Sequence, residues 1–173
     1  MKEANRQGKT VKNEDLKIPK KLHTVTLWVH PEGRVVGSIF LSEKDPEYGG
    51  TEHPREVLNR CKSFLVFKVE NPDELRFYNI KSLIRVEYEA SDADTDSGVE
   101  PMQCHLNMMD GSLIEGTILE SLPPDQARLL DYLNQPEENF IKVHMDDGLI
   151  YLINKSYINH VHVTGIGDAE VGK

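Results

Sequence analysis

A chain that carries the same landmarks twice, in the same order, is constrained to use one small fold in tandem, because matching apolar and turn patterns select matching backbones. Residues 104–119 loosely repeat residues 25–40, from Cys104-His105-Leu106 against Val25-Thr26-Leu27 to Ile118-Leu119 against Ile39-Phe40. A Leu-Asn pair follows in each copy (Leu58-Asn59, Leu133-Asn134), then a phenylalanine opening an apolar run (Phe64, Phe140). A Lys-Ser-x-Ile closes both: Lys81-Ser82-Leu83-Ile84 and Lys155-Ser156-Tyr157-Ile158. No catalytic motif accompanies the repeat.

The 173 residues divide into a tail (1–22), a first unit (23–88), a linker (89–101), a second unit (102–164) and a flexible C-terminus (165–173). Units of roughly 60 residues stand near the lower limit for a self-sufficient core, so each is expected to lean on its twin or on another chain. The tail holds seven basic side chains (Lys2, Arg6, Lys9, Lys12, Lys17, Lys20, Lys21) against Glu3, Glu14 and Asp15. Its +4 leaves −13 on a body whose whole chain carries −9. Such a body repels phosphate chains at long range. The tail lacks aromatics and a hydrophobic stripe and is expected to be solvated. No window approaches the ~18 apolar residues of a membrane span, and Met1-Lys2-Glu3-Ala4 leads into no secretory core. Cys61 and Cys104 form no metal spacing, which fits free thiols in a reducing cytoplasm.

Periodicity predicts ten strands. In the first unit they cover 23–30, 35–41, 64–69, 75–78 and 83–88; in the second, 104–109, 113–120, 140–145, 149–154 and 157–163. Pro31-Glu32-Gly33, Asp110-Gly111 and Asp147-Gly148 supply hairpin turns. Gly37 marks a bend in the second strand. A short helix after Pro54 and another after Pro123-Pro124 fall between strands two and three of their units, the latter with Leu129, Leu130 and Leu133 on one face and an Asn cap after each Leu. The expected fold class is mainly β with short helices: two tandem five-stranded small barrels, each with a helix between its second and third strands.

Two loops stand apart. Residues 42–53 form an insertion that the second unit lacks, and Glu43, Lys44, Asp45, Glu47 and Tyr48 are its candidate partner contacts. The acidic linker opens like a calcium loop with Asp92, Asp94 and Asp96, yet has Ser97 at the sixth position and Gln103 at the twelfth. Without the sharp turn and the bidentate carboxylate it reads as solvated linker.

The second unit's Leu106, then Asp110-Gly111-Ser112-Leu113-Ile114-Glu115-Gly116-Thr117-Ile118, resembles the first motif of the Sm-like family, which includes the bacterial RNA chaperone Hfq. The first unit is one residue shorter between Gly33 and Gly37. The resemblance implies small barrels that add fourth strand to fifth strand, so a tandem satisfies one edge internally and leaves two for other chains. It places Lys81 and Lys155 on the family's RNA-facing lysine and Ser82 and Ser156 where Hfq-type members carry histidine. Those four are the candidate RNA contacts.

His105, His160 and His162 form the one metal-like pattern, because His160 and His162 point to one side of a predicted strand and His105 lies on its expected neighbour. No nucleophile elbow or phosphate-cradling loop occurs, and no two arginines are four apart, which removes a PilZ-type nucleotide site. The sequence points first to a non-enzymatic, cytoplasmic protein-interaction or scaffold module. It needs no cofactor and no membrane, and its partners are proteins, further copies of itself included. Sm-like RNA binding, disfavoured by net acidity, is the alternative. A metal-dependent enzyme built on the three histidines comes third.

Overall fold

The computed structural model describes residues 20–43, 50–94, 98–121 and 129–162. Alternation builds the first hairpin: Val25, Leu27 and Val29 are buried while their neighbours face outward. It pairs strand β1 (Lys20–Val29) with β2 (Gly33–Ser42). Helix α1 (Pro54–Arg60), β3 (Phe64–Val69), β4 (Glu74–Asn79) and β5 (Leu83–Glu89) complete the first half. The second half runs β6 (Met102–Met108), β7 (Leu113–Ile118), α2 (Leu129–Leu133), β8 (Phe140–His144), β9 (Leu149–Asn154) and β10 (Ile158–His162). β1 begins inside the span expected as tail, so Lys20, Lys21 and Leu22 belong to the sheet. Residues 1–19 of the expected tail, 163–164 of the expected second unit and the expected C-terminus 165–173 lie outside the described residues.

The strands form one antiparallel sheet ordered β10-β6-β7-β8-β9-β5-β1-β2-β3-β4. Each half uses the same order, fifth-first-second-third-fourth. The two units meet in one unbroken sheet, because β5 pairs with β9 from Arg85↔Ile153 to Glu89↔Leu149. An edge strand carries a row of unsatisfied N–H and C=O groups, and each half closes one such row on the other.

The hairpins match position for position. Val25 pairs Gly37 and Leu27 pairs Val35 in one; Cys104 pairs Gly116 and Leu106 pairs Ile114 in the other. The one-residue difference between glycine spacings is therefore only a turn glycine placed differently, not a shorter hairpin. A Cβ on Gly37 would lie 2.3 Å from the Lys68 carbonyl oxygen and 2.6 Å from the Phe67 ring. On Gly116 it would lie 2.6 Å from Val143 and 2.8 Å from the His144 carbonyl oxygen. Neither glycine has a positive φ. Both are required because the third strand of their half crosses directly over the second.

Two cores follow, and each borrows from the other half. The first gathers Val25, Leu27, Ile39, Leu58, Phe67 and Val86, and takes Phe140, Ile150 and Leu152 from β8 and β9. The second gathers Leu106, Ile114, Tyr132, Ile141 and Ile153, and takes Ile84 with the edge of Trp28. The halves are too small to bury such surfaces alone.

The helices and the linker depart from expectation in detail. In α2 the buried side chain is Tyr132, whereas Leu130 is 66% exposed, so the three leucines do not share one packed face. Asn59 lies within α1, which ends in extended backbone at Cys61, not in a left-handed Asn cap. Its amide instead accepts from the Asn139 and Phe140 N–H groups (2.9 and 2.8 Å) and donates to the Phe140 carbonyl (3.2 Å). In the linker Asp94 is buried, accepting from the Tyr88 hydroxyl at 3.0 Å and from the Ser91 N–H and hydroxyl at 3.0 and 2.9 Å. That carboxylate is committed to the fold, which also removes it from any calcium loop; Asp96 lies outside the described residues.

Gly37→Ala and Gly116→Ala are each expected to lower stability by about 2 kcal/mol or more in urea titration, because backbone carbonyls cannot step aside as side chains do. Gly50→Ala, with open space around its Cβ, is the neutral control. Burial alone would raise the Asp94 carboxyl, but the Ser91 and Tyr88 hydrogen bonds outweigh it and hold the group below its ordinary range. Its contribution is thus present above the unfolded carboxyl pKa and fades as pH falls through the folded one. Asp94→Asn should cost about 1–2 kcal/mol at pH 7, and the gap from the wild type should narrow on acidification.

Candidate interaction surfaces

The two Lys-Ser-x-Ile segments occupy different registers. Both lie on 3-10 turns, Ile80–Ser82 and Lys155–Tyr157, joining the fourth and fifth strands of their halves. The turns superimpose through Asn79 and Asn154, whose side chains accept from Lys81 N–H and Ser156 N–H at 3.0 Å. The Ile80 N–H donates to Ser63 just as the Lys155 N–H donates to Asn139. Lys155 therefore matches Ile80, and Lys81 matches Ser156.

The four candidate RNA contacts consequently do not form an equivalent pair of sites. Lys81 is exposed, while the Ser82 hydroxyl donates back to the Asn79 carbonyl at 2.7 Å. The Lys155 ammonium is half-buried and donates to the Gln135 carbonyl. Burial holds it below the ordinary lysine range against the pull of Glu138.

The histidines come partly together. His105 and His162 sit opposite each other on β6 and β10, ring centroids 6.1 Å apart, and His105 Nδ1 lies 3.3 Å from Glu115. His160 is two residues back along the strand, a step of about 7 Å, and pairs with Asn107. Among the described residues no three His, Cys, Asp or Glu side chains are placed to hold a metal. In the insertion, Glu43 is exposed, whereas Lys44, Asp45, Glu47 and Tyr48 lie outside the described residues. The base of that loop is pinned: buried Glu52 accepts from the Ser42 N–H at 2.9 Å, pairs with Arg60, and donates its own N–H to the Ser42 carbonyl.

Most charged side chains near the junction of the halves serve the junction itself. Arg55 on α1 reaches Glu120 and Glu138 of the second half, and the Tyr132 hydroxyl at 3.2 Å. Arg85 lies 4.3 Å from the Trp28 ring centroid and 5.4 Å from that of Tyr151, with Glu87 at 2.7 Å. Asn154, buried, donates to the Leu83 carbonyl at 2.9 Å. A cleft of about 440 Å³ is lined by Arg55, Asn59, Asp94 and Glu138, which make the contacts above, together with His53, Tyr88 and Lys142.

Sequence reasoning missed the surface that carries no such commitment. On β3 and β4, Phe64, Leu75 and Phe77 are 60%, 52% and 66% exposed, with Val66 beside them. They share one face, since Phe64 pairs Asn79, Val66 pairs Phe77 and Lys68 pairs Leu75. The matching residues of the second half, Phe140, Ile150 and Leu152, are fully buried against the first half. The signal was present in Phe64-Leu65-Val66-Phe67, an apolar run without alternation, which marks a strand covered on both faces. In this strand one of those faces is bare.

Lys155→Ala should lower the urea midpoint by an amount equivalent to about 1 kcal/mol. Lys81→Ala should stay within about 0.5 kcal/mol of the parent. Equal losses would contradict the offset between the two turns. Comparison with protein-family models, curated proteins and solved structures finds no match to this chain, so its function has to be read from its own residues.

Proposed function

We propose that the chain is a binding module that recruits protein through its sheet ends, each five-stranded half curling like a small barrel, and that it performs no catalysis. The observation that carries this reading is the bare apolar face of Phe64, Val66, Leu75 and Phe77 beside the terminal strand β4. An unpaired strand offers main-chain hydrogen bonds, and an adjoining apolar face offers the burial that makes them hold. The curl is supported by the close crossings at Gly37 and Gly116 and by register shifts at Trp28/Val29 and Ile158/His160.

RNA binding is the rival reading, since Lys81 is exposed on its turn and the tail is basic. The acidic body weighs against it.

Affinity capture with tagged chain, read by mass spectrometry, separates the two. Specific protein partners should be retained by wild type and by Lys81→Ala, and lost with Phe77→Glu. Capture indifferent to Phe77→Glu would overturn the reading. Salt-sensitive binding of labelled oligouridylate that disappears with Lys81→Ala would replace it.

A further inference from the structure

We infer that the partner of the β3–β4 face is a second copy of this chain, packed face on face about a two-fold axis that crosses the strands, with no sheet edge taking part. This rests on the proposed binding role of that face and names its partner.

The β3–β4 hairpin carries a charge pattern that is its own complement. At its centre is the cross-strand pair Val66↔Phe77, both exposed. Lys62 stands four residues before Val66 and Glu70 four after it; Asp73 stands four residues before Phe77 and Lys81 four after it. All four charged residues are exposed. Even steps along a strand keep to one face, so these charges bracket the bare apolar row at its two ends. One end of the hairpin is basic and the other acidic. Lys68 already pairs with Asp73 at the acidic end, which leaves the match of Lys62 with Glu70 as the stronger one. Beside the basic end Arg60 is paired with Glu52, and Lys20 is exposed.

That pattern selects the occupant and its orientation. A two-fold axis along the strands would stack like charge on like. An axis across them, through Val66 and Phe77, turns one hairpin end for end over the other. Lys62 then meets Glu70 of the second copy, Lys81 meets Asp73, and Phe77 packs near its own counterpart. Apolar burial and charge favour the same arrangement.

The face is wide enough to hold such a contact. Leu22 pairs Phe40 on β1 and β2, and a groove of about 420 Å³ lined by Phe40, Val57, Cys61, Phe64 and Val66 joins them to the hairpin. Four strands at ~4.8 Å and six residues at ~3.3 Å give a plateau of roughly 19 by 20 Å. With side-chain relief and its charged ends, a copy reaches the roughly 600 Å² of the smaller stable interfaces. The second half offers no equal, because Phe140, Ile150 and Leu152 are buried against the first. Each chain therefore contributes one such surface, the same patch on both sides, and the assembly closes at two copies.

Light scattering on the full chain at about 0.1 M salt should give twice 19.7 kDa. Phe77→Glu should give a monomer with unchanged circular dichroism spectrum and urea midpoint. Lys62→Glu should raise the dimer dissociation constant roughly tenfold, and Glu70→Lys should do the same. The chain carrying both changes should return to the wild-type value, since the axis exchanges both ends together. At about 0.5 M salt the single reversals should lose their effect while the dimer persists. Single reversals that do nothing, or that the double reversal does not rescue, would overturn the crossed arrangement, and masses above two copies would overturn its closure. A monomeric wild type would overturn self-association; if its captured proteins still disappeared with Phe77→Glu, the binding reading would survive alone. A dimer indifferent to Phe77→Glu would remove this face from both.

Discussion

The pairing of β5 with β9 holds the rest of the structure in place. It satisfies two rows of backbone groups that would otherwise face solvent at the middle of the sheet. It also brings Phe140, Ile150 and Leu152 under the first half and Ile84 under the second, so neither core is complete without it. Side chains specific to the junction reinforce it: Arg55 on its two carboxylates, Asn59 on the start of β8, Arg85 between Trp28 and Tyr151. Buried or half-buried charges cost desolvation, and these are tolerated because each has a partner across the seam.

The same logic explains what is left at the ends. The first half, covered on one side by the second, leaves the apolar face of Phe64, Leu75 and Phe77 bare on the other. The hydrophobic effect has no direction of its own, so the orientation of any contact comes from strand pairing or charge. Asp94, Lys155 and Cys104, whose pKa values are displaced, are each occupied in packing or local hydrogen bonds.

Legibility in the sequence varied with the range of the interaction. Strands such as 64–69 and 149–154 were readable to the residue because turn residues and β-branched runs bracket them. α2 was readable as a helix but not in orientation: leucine spacing suggested a shared face, while the pocket under the helix took Tyr132, whose hydroxyl accepts from the Lys142 N–H. The Lys-Ser-x-Ile repetition was misleading by one position, because hydrogen bonds from Asn79 and Asn154 set the register of those turns and the lysines do not. Asp94, placed in a solvated linker by its neighbours' charge, is drawn inward by Tyr88, a contact that no local pattern announces.

By itself the sequence determined the two halves, their strands and the glycines of their second strands, since these follow from periodicity and turn chemistry within a few residues. Only the tertiary structure decided which residues join the halves and in what register, why Gly37 and Gly116 admit no side chain, and which apolar face lies bare. Those outcomes depend on segments far apart in the chain coming into direct contact, and residues that repeat in sequence can be covered in one copy and open in the other.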